Sequence, residues 1–296
     1  MKNLIEYYYG LNIENLRTYG EEYLFNSNKK LYLFYNIKNT DNVENMLNVL
    51  KMYKNRYFHT PILNKERKII TYDGEGYRIL FLINILHNKT IDYKDILLFT
   101  KNNFIYFSDS IFIWEKMWRE KVDFLENYIE KKDNINYLFK PLCYYYIGLA
   151  ENSIKYLKKI HVLKTFNSCI CHKRIHYNDT LIELYNPINF IIDNQCRDIC
   201  EYLKSVCDST IKVDFYQIVQ SLNFSIYEIQ LMIARLLFPS YFFDKLDLYN
   251  NEKMSTTDIL NLYNYTTNYE VFLSEIIKII KKNRNIYIPN IKWLNG

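Results

Sequence analysis

The stretch that decides the reading of this chain is Ile170-Cys171-His172-Lys173-Arg174-Ile175-His176-Tyr177-Asn178, followed by Phe190-Ile191-Ile192-Asp193 and then Arg197-Asp198. Short apolar runs around a polar turn predict strand-like structure from Asn167 to Ile192. Asp193 closes the second run, where a carboxylate can cap the turn that follows. Arg197 and Asp198 open a helical pattern, and an acid near a helix start suits the dipole. Cys171 and His172 are neighbours on an extended segment, so they point to opposite faces and cannot act together as a thiol and its base.

Upstream, Glu22-Tyr23-Leu24-Phe25 and Leu31-Tyr32-Leu33-Phe34-Tyr35 read as two strands, with the turn at Asn26-Ser27-Asn28. Asp41 and Glu44 have the spacing of a capping box. Val43, Met46, Leu47 and Leu50 then recur at helical intervals, giving a helix that ends near Tyr53. Lys68–Tyr72 and Tyr77–Leu82 flank Asp73-Gly74-Glu75-Gly76, a second hairpin. From about Ile91 the pattern becomes helical. Trp114, Met117, Trp118, Val122, Leu125 and Ile129 form one apolar face of a long helix, with charges opposite. Another helix covers Tyr144 to about Lys159. Ser225 and Glu228 cap a third, which Pro239 stops. Lys281 and Lys282 read as the last turn of a helix, where cations suit the dipole.

This order, a small sheet lobe and then a mainly helical one, is that of kinase-like phosphotransferases. The chain resembles the kinase-like spore coat proteins of the CotS and YutH type, within the aminoglycoside phosphotransferase superfamily. The resemblance rests on Tyr145–Leu157, on Ile192–Tyr202, on Ala234–Phe243 and on Ile288–Leu294. It implies an α+β, bilobal, protein-kinase-like fold. An antiparallel-sheet N-terminal lobe is expected over 1–84 and a helical C-terminal lobe over 85–296.

The resemblance also assigns roles. Working members carry a His-Gly-Asp loop whose Asp is the base, a following Asn that helps hold metal, and a later Asp that binds magnesium. Here His172 matches the loop histidine, Lys173 the glycine and Arg174 the base. Asp179 falls on the Asn position, with Asn178 beside it, and its oxygens suit magnesium. Asp193 matches the magnesium aspartate. His172 is expected to be structural, bonding the backbone of the metal loop. Arg197 and Asp198 are expected to hold the loop by an ion pair.

An arginine cannot accept a proton from a hydroxyl, because its guanidinium stays charged. The N-terminal part departs further. Leu31–Tyr35 offers no lysine to phosphates, since Lys29 and Lys30 lie at the turn. Gly20 stands alone before Glu21 and Glu22, two acids that repel phosphate. Phosphoryl transfer depends on positioning and charge neutralisation, so each loss counts. The expectation is a catalytically degenerate, pseudokinase-like protein with a spore-coat-associated or scaffolding role and protein partners. The alternative is an ATP- and magnesium-dependent phosphotransferase acting on a small hydroxyl-bearing substrate. It would use Asp193 and Asp179 for metal, another base, and a nucleotide pocket between Leu80–Asn84 and the C-terminal lobe.

Composition limits other classes. Net charge is +5 from 38 basic and 33 acidic side chains, without the basic clusters that track nucleic acid. No apolar run is long enough to span a bilayer, and the N-terminus lacks a secretory pattern. A cytoplasmic protein with reduced thiols is therefore expected, or one in the spore coat if its source sporulates. Cys169, Cys171, His172, His176, Cys196 and Cys200 can be drawn as a zinc site. No CxxC is present and cysteine is commonly buried, so a zinc site is not expected. The 30 tyrosines fit AT-rich coding, or a surface used for stacking or cross-linking.

Overall fold

A computed structural model describes residues 1–85, 87–108, 111–132, 135–160, 166–207, 209, 213–250 and 254–295. The chain forms two compact units, 1–92 with 172–191, and 93–171 with 192–296.

The first unit begins with α1 (Lys2–Tyr9), which Gly10 ends in the left-handed conformation at φ 67°. Strands β1 (Glu14–Tyr19), β2 (Glu22–Ser27) and β3 (Lys30–Ile37) follow. Asn28 and Lys29 both have positive φ, the geometry of a tight two-residue hairpin turn. Helix α2 (Asp41–Met52) ends at Tyr53 as expected, but its capping box does not form. Thr40 occupies the cap without a side-chain bond, and Asn39 Oδ1 accepts from the Asp41 amide at 2.8 Å instead. Strands β4 (Thr60–Ile62), β5 (Ile70–Tyr72) and β6 (Tyr77–Leu82) complete an antiparallel sheet ordered β1-β2-β3-β6-β4, with β5 also on β6. Asp73 organises the second hairpin by accepting from the Glu75 and Gly76 amides.

β3 is apolar from Leu31 to Tyr35 because both its faces are covered there. Leu33 and Ile37 pack with Val43 and Met46 of α2. Tyr32 and Phe34 pack with Ile5 of α1.

The second unit starts with α3 (Tyr93–Asn102), β7 (Phe104–Ser108), α4 (Ile111–Lys131), α5 (Phe139–Ile160) and β8 (Phe166–His172). On α4, Trp114, Trp118, Val122, Leu125 and Ile129 are buried as expected, but Met117 is 38% exposed. At about 100° per residue Met117 falls beside Ile113 and Phe124, on a different side from the tryptophans.

Residues 172–191 group with the first unit. Their backbone explains this: Tyr185 O accepts from the His59 amide, Asp179 O from Ile91 and Lys89 O from Leu181. Within them lie α6 (Leu181–Leu184), a 3-10 turn at Pro187–Asn189, and the start of β9 (Phe190–Asn194). β9 joins a sheet ordered β7-β8-β9. Helices α7 (Cys196–Cys207), α8 (Phe215–Ser221), α9 (Ile226–Leu237), α10 (Ser240–Asn250), α11 (Thr256–Asn283) and α12 (Lys292–Asn295) follow. The Ser225–Glu228 capping box of α9 forms as read, and Lys281 and Lys282 sit in the last turn of α11.

Several tyrosines are core residues. Tyr156 and Tyr269 are buried and donate to the Tyr287 and Leu236 carbonyls at 2.7 and 2.6 Å. Among the described residues no helix is long and apolar enough to cross a membrane.

Candidate functional site

The deciding loop leaves β8 at His172. The ring is buried, its Nε2 lies 2.8 Å from the Leu184 carbonyl and its edge meets Phe190. The histidine is thus tied to the backbone of its own loop, at the end of α6. Lys173 donates its amide to Asn189 O at 2.9 Å and its ammonium to Asn42 Oδ1 of α2. Burial pulls the Lys173 pKa down. Arg174 is exposed, and its Nη1 donates to the Lys173 carbonyl at 3.0 Å. Asp179 closes a turn by accepting the His176 amide at 2.7 Å. Its pKa is raised, chiefly by burial, with the His176 amide working in the opposite direction.

The following residues bind the loop to the sheet. Thr180 and Glu183 form a capping box on α6, Glu183 Oε2 accepting the Thr180 amide and hydroxyl at 2.7 and 2.6 Å. Glu183 Oε1 accepts from Tyr19 at the end of β1, across 2.5 Å. Burial and that carboxylate push the Tyr19 phenol up to about 12. Ile182 and Ile188 enter the core formed by Leu24, Leu33, Phe81 and α2. The Ile182 carbonyl lies 3.0 Å from His59 Nε2, and Asn45 Nδ2 donates to Phe190 O at 2.7 Å. The face of β3 from which a lysine would reach phosphate carries Leu31, Leu33 and Tyr35, all packed in this core. At the β1–β2 turn, Glu21 pairs with Lys38 at 2.9 Å, while its carbonyl accepts from Arg78 at 3.1 Å.

In the second unit Asp193 is 4% exposed. Its Oδ2 accepts from Trp114 Nε1 at 3.0 Å and from Arg197 Nη1 at 2.7 Å, and its Oδ1 from the Asn194 amide at 2.7 Å. The capping role falls to Asn194, whose Oδ1 takes the Cys196 amide at 3.0 Å. The ion pair expected of Arg197 forms with Asp193 itself, while Asp198 is fully buried in the first turn of α7. A second buried pair, Arg235 with Glu201 at 3.1 Å, lies alongside, and the Arg235 guanidinium stacks 4.7 Å over the Trp114 ring.

The carboxylate of Asp193 is therefore satisfied by protein donors. One of them is a guanidinium whose charge opposes a second cation, so the residues present do not fit a magnesium site there. The thiols of Cys169 and Cys171 are poor nucleophiles. Cys169 and Cys171 are buried with sulfurs 3.3 Å apart, and burial pushes both thiols up, away from the reactive thiolate. Among the described residues no group of three or more His, Cys, Asp or Glu side chains is arranged to hold a metal ion.

Tyr19, Thr180 and Glu183 hold this region and escaped the sequence reading, and Trp114 was read only as part of the apolar face of α4. Thr180-Leu181-Ile182-Glu183 carries the capping-box pattern, so α6 was there to be found.

Residues 2–276 match the family model described as "Spore coat putative kinase YutH". The endospore coat-associated protein YutH of Bacillus subtilis (strain 168) is 24% identical over 210 residues, which are 61% of this chain and 61% of that protein's length. Among solved structures, an aminoglycoside phosphotransferase from Alicyclobacillus acidocaldarius superposes with a TM-score of 0.56 at 11% identity, over 95% of this chain and 96% of that one. The AMP-bound spectinomycin phosphotransferase APH(9)-Ia gives 0.51 at 15% identity, over 96% and 98%. At these identities the structures show the fold, which is the kinase-like fold of aminoglycoside phosphotransferases.

Proposed function

The chain belongs to the YutH family of spore coat proteins, and from that premise we propose that it is a kinase-fold protein of the spore coat that acts by protein interaction and not by phosphoryl transfer. The loop itself carries this reading. By the resemblance, Arg174 falls at the position of the general base of working members, and a guanidinium cannot take a hydroxyl proton. Around it, Tyr19, Ile182, Glu183 and Ile188 bind the loop to the sheet by packing and hydrogen bonds. The absence of lysine from Leu31–Tyr35 of β3 and the engaged carboxylate of Asp193 support the same reading. The coat association and the coat or scaffold partners follow the Bacillus subtilis relative, which is coat-associated.

The test is thermal unfolding of the full chain with millimolar ATP and magnesium, together with a phosphotransfer assay over small hydroxyl compounds. No magnesium-dependent rise in melting temperature and no transfer are expected. A nucleotide at one hundred times its dissociation constant stabilises by about 2.7 kcal/mol. A shift of that size accompanied by turnover would overturn the proposal. Fractionation of spores then tests the location: the chain should be recovered with coat extracts, and its recovery only from the core would refute the coat assignment.

A further inference from the structure

Helix α2 ends in a region of one charge sign. Between Glu44 and Glu66 the sequence holds four cations, Lys51, Lys54, Arg56 and Lys65, and no acid. The first three line a hollow of 480 Å³ within the first unit, whose apolar wall includes Leu47, Leu50 and Phe58. No described acidic side chain lines it. The helix dipole accounts for Lys51, in the last turn of α2. Lys54 and Arg56 lie beyond that turn and need another reason. All three residues are exposed, and none forms an ion pair with a described carboxylate. Arg56 is held in place by its neighbour. Its Nη2 donates to the Tyr57 hydroxyl at 2.6 Å, and its guanidinium lies 4.8 Å from the centre of the Tyr57 ring. A guanidinium fixed in this way keeps further donors for a carboxylate.

We propose that this hollow binds an acidic segment of a partner protein. An apolar side chain of the segment sits against Leu47, Leu50 and Phe58, and flanking carboxylates meet Lys51, Lys54 and Arg56. The inference rests on the reading of the chain as an interaction protein and adds the chemistry of the partner. Charge complementarity identifies the occupant. The rim carries one sign only, so an acidic segment is answered at every cation, whereas a basic segment is opposed at each. The wall adds the second requirement. Leu47 and Leu50 are only partly buried against the core of the unit, so covering them with an apolar side chain removes further apolar surface from water. A hollow of this size is large enough for such an anchor. Because the cations are exposed, each ion pair contributes little by itself, and binding should be modest and sensitive to salt.

Fluorescence anisotropy of a labelled peptide, a Phe-Leu pair flanked on each side by glutamates, titrated with the full chain, tests the site. Saturable binding in the micromolar range is expected, weakening several-fold as salt rises from about 50 mM to about 300 mM. Lys54→Glu and Arg56→Glu should each raise the dissociation constant about tenfold, and so should replacing Phe-Leu in the peptide by Ser-Ser. Lys101→Glu makes the same change of charge at an exposed residue that does not line the hollow, and should leave the constant within about twofold. Melting temperatures of the variants are measured alongside, and the peptide substitution decides even where a variant unfolds. No binding, or binding weakened as much by Lys101→Glu as by Arg56→Glu, would overturn the proposal. Saturable binding of octyl phosphate without binding of the peptide would also overturn it, and would make the hollow a site for a small amphiphilic anion. Loss of this proposal leaves the non-enzymatic reading standing, since phosphotransfer and not peptide binding decides that.

Discussion

Tyr19, at the end of β1, donates its phenol hydrogen to Glu183 Oε1 across 2.5 Å, and the same hydroxyl oxygen lies 3.1 Å from Thr180 Oγ1. The strand that would lead into a phosphate-binding turn is thereby fixed to the loop that would carry the base. Glu183 also caps α6 through its other oxygen. One carboxylate thus joins helix, loop and sheet edge within the first unit.

Tyr19→Phe removes both phenol contacts and leaves the ring. A hydrogen bond to a charged acceptor contributes about 1.5–3 kcal/mol. Glu183 keeps its Thr180 donors, so a loss near the lower figure is expected. Urea denaturation should show a lower midpoint at unchanged slope. An unchanged midpoint would mean that the latch contributes nothing in solution.

Asp193→Ala acts on a different element. The substitution removes the carboxylate that pairs with the Arg197 guanidinium, which is 7% exposed, and the acceptor of Trp114 Nε1. Breaking a buried pair by removing one partner typically costs about 3–5 kcal/mol. Asp193→Asn keeps an acceptor for Trp114 and should cost less. Guanidinium melts of the two variants measure the difference. If Asp193→Ala were as stable as the native chain, the pair would not be the structural tie described.

What could be read from the sequence, and what could not, divides along physical lines. The Asn28 hairpin, the Ser225 cap of α9 and the buried side of α4 were legible because each signal is local. Strand β1, Glu14–Tyr19, was not, because it is an edge strand with no buried residue and no apolar alternation to mark it. Met117 was misplaced because an apolar side chain at the margin of a helical stripe fits either face. At the candidate site His172 was expected to bond the backbone of the metal loop, and its ring nitrogen lies against the Leu184 carbonyl. The tie from Trp114 to Asp193 spans 79 positions and that from Tyr19 to Glu183 spans 164. Periodicity carries no information at such separations.

Arg174→Asp restores the residue type of a working base without restoring its surroundings. Arg174 is exposed, and its Nη1 donates to the neighbouring carbonyl of Lys173. Surface changes of this kind usually stay within about 0.5 kcal/mol. The variant should melt with the native chain and gain no phosphotransfer, because Leu31–Tyr35 of β3 still offers no lysine and Asp193 still pairs with Arg197. Measurable ATP turnover by this single variant would mean that the rest of the machinery is intact.

His59 gives the chain a pH dependence of its own. The side chain is fully buried beside the Ile182 carbonyl, and burial pulls its pKa from 6.5 down to about 4. The folded state therefore holds a neutral imidazole where the unfolded chain binds a proton. As pH falls below 6.5 the unfolded state gains protons that the folded state refuses. This residue's contribution then declines by up to about 1.4 kcal/mol per pH unit and levels off near pH 4. His59→Gln can still donate to Ile182 and does not titrate. Carboxylates that titrate in the same range act on both proteins, so the difference between them isolates the imidazole. At pH 7 the variant should be no more stable than the native chain, and by pH 4.5 the difference should have moved in its favour by about 2 kcal/mol. Parallel stability curves across that interval would show that His59 takes up its proton in the folded state as readily as in the unfolded one.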